Sequence, residues 1–406
     1  MNRKWEIAIA SFLVLALLAT LCFGCAKKEQ EEKAVITIGI ITDITGPAGG
    51  PCKPYGWAIE DLAKHINAVD PIPGVELRTI MYDGRYDPSR DIPGYEWCKE
   101  RGAELIITPL PPTADTLKPF AAKDKVPVLI QSASESALDP PGWVFAYCCA
   151  SADLIKPLVK WIGEQWPNYP TKIKIGSAGW AESYHADITR GIREYCQAHP
   201  DKFEYIAGFL APMGTMTWGG EIEKLKECDY ICLPSTGLGI PTFVTDARAR
   251  GYTGEFFCTD AVGGYVDLMV GACGWEALDG VLTAYGTLYW NEPCPVVDLA
   301  KALLNEYRAG EVQATIATGT GYSSPVVSCS IWFAILREAI AEVGAENFDG
   351  GAFYDTATKF KMTLEGYEET GYTESVRYAL KHVVIYKWSA ADQDLVRVSG
   401  WLPLVD

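Results

Sequence analysis

Val35-Ile36-Thr37-Ile38-Gly39-Ile40-Ile41, followed by Thr42-Asp43-Ile44-Thr45-Gly46-Pro47-Ala48-Gly49-Gly50, is the stretch on which the fold turns. Its first part is short, β-branched and almost continuously apolar, the pattern of a strand covered on both faces. Its second part is built of Asp, Thr, Gly and Pro and reads as a loop. Beyond it Tyr55, Ile59, Leu62, Ala63 and Ile66 recur at helical spacing, so an amphipathic helix ending near Asn67 is expected. A covered strand, a loop and an amphipathic helix open a parallel α/β sheet.

The same alternation continues downstream. Strands are expected at 75–82, 105–107 and 126–130, with helices at 95–101 and 115–122 between them. A second series starts after Tyr147. Helices at 154–164, 187–197, 221–226 and 241–250 alternate with strands at 172–176, 204–208, 230–233 and 255–257. Two such series predict two doubly wound parallel-sheet lobes of similar build. The tail, with Val383-Val384-Ile385-Tyr386-Lys387-Trp388 and then 395–398, reads as two β-strands closing the second lobe.

Upstream of the opening strand, Asn2-Arg3-Lys4 is basic, residues 7–23 are almost wholly apolar, and Gly24-Cys25 precedes the charged run Lys27-Lys28-Glu29-Gln30-Glu31-Glu32-Lys33. Such an order reads as a secretory signal, and its end resembles a bacterial lipobox, with Cys22 where Leu, Val or Ile is usual. The resemblance implies cleavage before Cys25 and lipidation of its sulfur; an uncleaved anchor or a plain signal peptide are the alternatives. Each exports the rest of the chain. The expected organisation is a signal peptide over 1–24, a lipid anchor and tether over 25–34, one lobe from 35–150 plus 286–348, and a second from 151–285 plus 349–406.

A chain of 406 residues exceeds what one core usually supports. The 49% hydrophobic fraction is that of an ordinary globular protein, and no second apolar run approaches membrane-spanning length. A net charge of −17 argues against nucleic acid or anionic lipid as the main partner. Of thirteen cysteines, eleven remain beyond Cys22 and Cys25, an odd number that cannot all pair within the chain. With four His and no Cys-x-x-Cys pair, no metal site is expected. A few disulfides alongside several free thiols are expected instead.

Several short pieces carry a resemblance when taken in order. They are Ile38-Gly39-Ile40 with Asp43-Ile44-Thr45-Gly46-Pro47, Ala58-Ile59 through His65-Ile66-Asn67-Ala68, and Tyr82-Asp83 with Asp87-Pro88. Phe120-Ala121-Ala122-Lys123-Asp124-Lys125-Val126-Pro127-Val128, Ser132-Ala133-Ser134, and Arg377 with Ile385-Tyr386-Lys387-Trp388 follow. Across nearly the whole mature chain the sequence resembles the periplasmic leucine/isoleucine/valine-binding protein family, of the type I periplasmic-binding fold. The resemblance implies two lobes joined by three crossovers, and a small polar ligand held between them. It also implies delivery to the permease and ATPase subunits of an ABC importer, with no cofactor. Attachment to the membrane is through the lipid, and a monomer is expected.

Open α/β sheets bind ligands beyond the carboxyl ends of their strands, which draws attention to the loops at 43–50, 108–115, 131–136, 178–184, 234–239 and 259–264. By resemblance the ligand's carboxylate and amine contacts in the first lobe fall around Thr113 and around Ala133 and Ser134. The Ser134 hydroxyl can meet a ligand or cap the next helix. Pro109, Pro111 and Pro112 remove backbone donors beside Thr113 and put the usual carboxylate cradle in doubt. In the second lobe Asp260 matches the family's acidic residue for an ammonium group, and a helix cap or a surface turn is the other reading. Tyr184, Tyr322, Tyr55 and Thr236 complete the candidates, each equally readable as core or rim.

No catalytic signature is present. The Gly-rich stretch at 45–50 lacks a Walker lysine and the dinucleotide spacing, there is no Gly-x-Ser-x-Gly elbow, and the four His have no triad-like partner. A binding protein and not an enzyme is therefore expected. Amino acids lead the ligand classes, with aromatic acids or amides, or ligand sensing for a partner receptor, as alternatives.

Overall fold

In the computed structural model, which describes residues 33–234 and 237–405, the opening stretch is strand β1 (Ala34–Thr42), buried from Ile36 onward. The signal segment, Cys25 and Thr236 lie outside the described residues. Parallel neighbours flank β1 on both edges, β2 (Val75–Asp83) and β3 (Ala103–Thr108). Then β4 (Val128–Ile130) and β5 (Val144–Ala146) complete a five-stranded sheet in the order β2-β1-β3-β4-β5. Helices α1 (Gly49–Val69), α2 (Asp91–Lys99), α3 (Pro111–Asp124) and the single turn α4 (Glu135–Leu138) follow successive strands. Ile36, Ile38 and Ile40 of β1 pack with Ile59 and Leu62 of α1, while Ile41 joins Tyr95 of α2 and Leu117 of α3. Both faces are covered, which is why the run is unbroken in its hydrophobicity.

After α5 (Ser151–Gln165) the pattern repeats with β6 (Ile173–Trp180), α6 (Ser183–Ala198), β7 (Phe203–Ala211), α7 (Gly219–Leu225), β8 (Tyr230–Cys232), α8 (Gly239–Ala249), β9 (Glu255–Thr259), α9 (Val266–Leu278) and β10 (Leu282–Tyr285). The strand order β7-β6-β8-β9-β10 repeats the winding of the first sheet. At its far edge β13 (His382–Ser389) runs antiparallel to β10, and β14 (Asp394–Arg397) antiparallel to β13. The tail thus closes the second sheet as its sequence predicted.

Between the two, α10 (Pro295–Tyr307), α11 (Val312–Thr318), α12 (Ser323–Val343) and α13 (Gly350–Ala357) lead to the small β11 (Lys361–Met362) and β12 (Thr370–Gly371) pair; β15 (Leu402–Pro403) pairs with β13 near the end. Helix α12 packs against α1, α10 and α13. Arg308 pins the same region, its guanidinium donating to both oxygens of Asp61 on α1, at 2.9 and 2.8 Å, and to Glu60 at 2.8 Å. Tyr322, just before α12, donates to Asp61 at 3.1 Å.

Three segments cross side by side between the sheets. Tyr147 donates through its hydroxyl to the Gly286 carbonyl at 2.8 Å, and the Leu380 amide donates to the Tyr147 carbonyl at 2.8 Å. A Cβ on Gly286 would sit 2.7 Å from the Leu380 side chain and 2.9 Å from the Cys148 sulfur, so glycine permits this close approach. Tyr378 forms a bridge with Ala146 of β5, so the chain stays with the first sheet past residue 349 and rejoins the second at β13.

Two expectations change. Helices α1 and α3 start at Gly49 and Pro111, earlier than the apolar spacing suggested, because their first turns hold Gly and Pro; Pro at the first helical position gives up an amide that would have no partner there anyway. All eleven described cysteines are free thiols, ten of them buried, where a few disulfides were expected. They fill the core as small apolar groups. Among the described residues no helix is long and apolar enough to cross a membrane.

Candidate functional site

In each sheet the strand order reverses beside the first strand of its series, between β1 and β3 and between β6 and β8. Ligands of open α/β sheets bind at such switch points, beyond the strands' carboxyl ends. The two switch points face one another across a cavity of about 120 Å³. That is room for a small organic molecule, since a single water needs only about 10–15 Å³ on this measure. The first sheet supplies Ala48, Pro51, Cys52 and Tyr55 beyond β1, Tyr86 beyond β2, Pro109, Leu110 and Pro111 beyond β3, and Gln131 and Ser132 beyond β4. The second supplies Tyr184 after β6 and Asp260, Ala261, Gly264 and Tyr265 after β9; Thr320, Gly321 and Ser324 close the third side at the start of α12.

Local chemistry sets these positions. In the loop after β1, Asp43 accepts from the Gly46 amide at 2.5 Å and the Ala48 amide at 2.8 Å, turning Ala48 and the first residues of α1 towards the cavity. Asp83, at the end of β2, braces the same loop by accepting from the Ile44 amide at 2.9 Å and the Thr45 hydroxyl at 2.7 Å. Arg85 and Tyr86 then both adopt left-handed backbone, φ 56° and 53°. That conformation costs non-glycine residues roughly 1–2 kcal/mol each, and here it delivers the Tyr86 ring to the cavity wall. Across the cleft, Glu182 caps α6, accepting from the amides of Tyr184 at 2.8 Å and His185 at 2.6 Å.

Asp260 is the one charged side chain among the described lining residues. The Tyr184 hydroxyl donates to its Oδ1 at 3.0 Å, and the Ser132 hydroxyl reaches its Oδ2 from the opposite lobe at 3.2 Å. The Cys148 thiol lies 3.7 Å from Oδ2. Burial raises the carboxyl's pKa above its ordinary value against the opposing pull of these hydrogen bonds. The site is thus short of positive charge. Two further polar atoms on the cavity wall are buried without a hydrogen-bond partner, the Tyr55 hydroxyl and Gln131 Oε1.

The structure therefore brings together Asp260, Tyr184 and Tyr55 of the residues singled out in the sequence. The other described candidates do not line this cavity. Ser134 caps α4, accepting from the Ala137 amide at 3.2 Å and donating to Asp115 at 2.5 Å. Ala133 is fully buried, its carbonyl taken by the Ser151 amide and hydroxyl. Thr113 lines a second cavity in the same cleft, where it donates to Asp91 at 2.8 Å, and its amide bonds to the Leu110 carbonyl. Tyr322 is occupied with Asp61. Gln131 and Ser132 take the place given to Ala133 and Ser134, two residues earlier in the same loop. The end of β4 at Ile130 decides this, since the first residues past the strand face the cleft.

Two α/β lobes wound alike, with a largely apolar cavity holding one carboxylate at their facing switch points, define a two-lobed binding protein. A periplasmic binding protein family model matches residues 35–391, and the chain belongs to that family. No curated protein matches it. Among solved structures it is similar to a branched-chain amino acid ABC transporter protein from Thermus thermophilus with bound valine, at 17% identity and a TM-score of 0.79 over 91% of this chain and 97% of that one. It is similar to a solute-binding protein from R. palustris in complex with 4-hydroxybenzoate, at 16% identity and a TM-score of 0.76 over 92% and 98%. A leucine-binding protein from Thermotoga maritima matches at 16% identity with a TM-score of 0.71 over 91% and 99%. All three share the type I periplasmic-binding fold with this chain.

Proposed function

We propose that this chain is an extracytoplasmic solute-binding lipoprotein of an ABC importer. It captures a small amine-bearing solute, an amino acid, between its lobes and delivers it to the permease. The observation that carries the reading is Asp260, a lone carboxylate in a cavity whose described lining contains no Lys, Arg or His. A buried carboxylate without a cationic partner is costly, and an ammonium group supplies that partner. Neutral groups remain for the ligand's other end, namely Gln131, Ser132, Thr320, Ser324 and the Tyr55 hydroxyl.

Calorimetric titration of an amino-acid panel and of 4-hydroxybenzoate against wild type, Asp260→Ala and Asp260→Asn tests this. Losing one partner of a buried charge pair costs on the order of 2–5 kcal/mol, so both variants should bind the best amino acid about 30-fold to several thousandfold more weakly. Wild-type affinity in Asp260→Ala would remove Asp260 from the site. The second reading, an aromatic acid or amide, is favoured by the four tyrosines and three prolines of the wall. For an aromatic acid, Asp260 repels the ligand, and the same variants should bind it equally or more tightly.

The apolar run ending at Gly24-Cys25 supports lipid anchoring. Cys25→Ala should abolish incorporation of labelled fatty acid and release the protein from the membrane without altering its fold; equal labelling of the variant would contradict lipidation. The packing supports a first lobe of 35–150 plus 286–380 and a second of 151–285 plus 381–405, with the crossovers at Tyr147, Gly286 and Leu380 as hinges.

A further inference from the structure

A second cavity, of about 290 Å³, opens in the same cleft, and Tyr86 and Leu110 line both. Its wall carries Asp91, Asp115 and Glu182 and no Lys, Arg or His among the described residues. Asp91 is only 2% exposed; Thr113 holds its Oδ1, and Oδ2 makes no hydrogen bond of good geometry, although the Thr116 hydroxyl, which donates to the Pro112 carbonyl, lies beside the carboxylate. On the opposite wall the Ser183 hydroxyl is also buried without a partner. The arginines that follow β2 are turned away. Arg85 Nε donates to the Asp83 carboxylate at 3.3 Å and Arg90 Nε to the Asp83 carbonyl at 3.0 Å. Lys118, one turn beyond Asp115, is taken by the carbonyls of Ser136 and Asp139 at 2.7 and 2.8 Å.

We propose that this cavity is a second cation subsite, so that the solute carries two ammonium groups, one at Asp260 and the other, reached past Tyr86 and Leu110, at Asp91. The inference rests on the reading of Asp260 given above and narrows it to basic amino acids and diamines. No group of three or more acidic, His or Cys side chains among the described residues could hold a metal ion. An organic ammonium needs one carboxylate and neighbouring acceptors and not a coordination shell, which is what this wall offers. Burial raises Asp91 to about 6, the direction expected of a carboxylate that lacks a counter-ion.

Lysine and norleucine differ in the terminal ammonium, and cadaverine and pentylamine form the same pair without a carboxylate. Calorimetry with these four probes and valine, on wild type, Asp91→Asn and Asp260→Asn, tests the subsite and separates the two sources of a diammonium ligand. Lysine or cadaverine should bind wild type at least about tenfold more tightly than its one-ammonium counterpart. Asp91→Asn should abolish that preference and leave valine unchanged, while Asp260→Asn weakens every amine. Asp115→Asn, whose new side chain still accepts from Ser134, provides a second variant should Asp91→Asn fold poorly, and it should narrow the same preference. Norleucine and pentylamine matching their diammonium counterparts in wild type, with valine bound, would overturn the second subsite and leave the Asp260 reading intact. Equal losses for valine and lysine in Asp91→Asn would show a structural role and overturn it too. Failure of every amine to bind would overturn both readings.

Discussion

Asp43 and Asp83 explain why the loop after β1 is so distinctive in the sequence. Between them they accept hydrogen bonds from three backbone amides and one hydroxyl of residues 44–48, and a Cβ on Gly46 would lie 2.5 Å from the Arg85 carbonyl oxygen. The motif shapes the cavity wall and leaves the lining itself to Ala48, Pro51 and Tyr55. The same distinction governs the candidate residues. Asp260 and Tyr184 line the cavity from loops just past strands, where the sequence reading looked for candidates, and Tyr55 lines it from α1. Ser134, four residues past β4, caps α4 and does not line the cavity; a serine in such a loop reads equally well as a cap or as lining. Glu104 on β3 offers a test at this scale. Burial, with a smaller contribution from Asp349, raises its carboxyl to about 7, and its Oε2 is buried without a partner. A carboxyl raised on folding contributes stability that is complete below its unfolded pKa of 4.5 and is lost as pH rises through about 7. Glu104→Gln should therefore raise the melting temperature more at pH 8 than at pH 5. Equal shifts at both values would show that Glu104 is not titrating in that window.

At the level of elements, the alternating strands and helices from β1 to β9 were readable where each buries a definite stripe or face, while the short α4 and β5 were missed. The stretch from residue 287 to 380 was not. Helix α12 is buried over most of its circumference, including Trp332, Phe333 and Leu336, so it shows no amphipathic stripe to read. One contact between elements bears directly on closure. Arg190 of α6 forms ion pairs with Glu135 of α4 at 2.5 Å and with Asp187 on its own helix at 3.1 Å; the Glu135 amide donates to Asp187 at 2.6 Å. Of these, the Arg190–Glu135 pair and the bond from the Glu135 amide to Asp187 cross the cleft and exist only when the lobes are together. An exposed pair of this kind contributes up to about 1 kcal/mol, so Arg190→Met should weaken binding of the best solute by roughly two- to fivefold. The deficit should shrink in 0.5 M salt, where the wild-type pair is screened. An unchanged affinity at low salt would mean that the latch does not bias closure.

The whole molecule is two similarly wound lobes, three crossovers between them, and a cavity that neither lobe completes alone. Ser132 meets Asp260 across the cleft at 3.2 Å, and the Thr320 amide reaches the Gly263 carbonyl at 3.2 Å, so this structure has its lobes together. A ligand that touches both lobes makes its full set of contacts only in that arrangement, and must shift the population towards it. Two lobes were legible in the sequence from the repeated series; their facing came from the resemblance alone, because the pairing of switch points depends on where the crossovers lie. Small-angle X-ray scattering of the protein, alone and saturated with the tightest-binding solute from calorimetry, tests the clamp directly. The ligand-free protein should have the larger radius of gyration, and the saturated protein should match the profile calculated from this structure. Identical profiles with and without a saturating ligand would contradict closure of the two lobes on their solute.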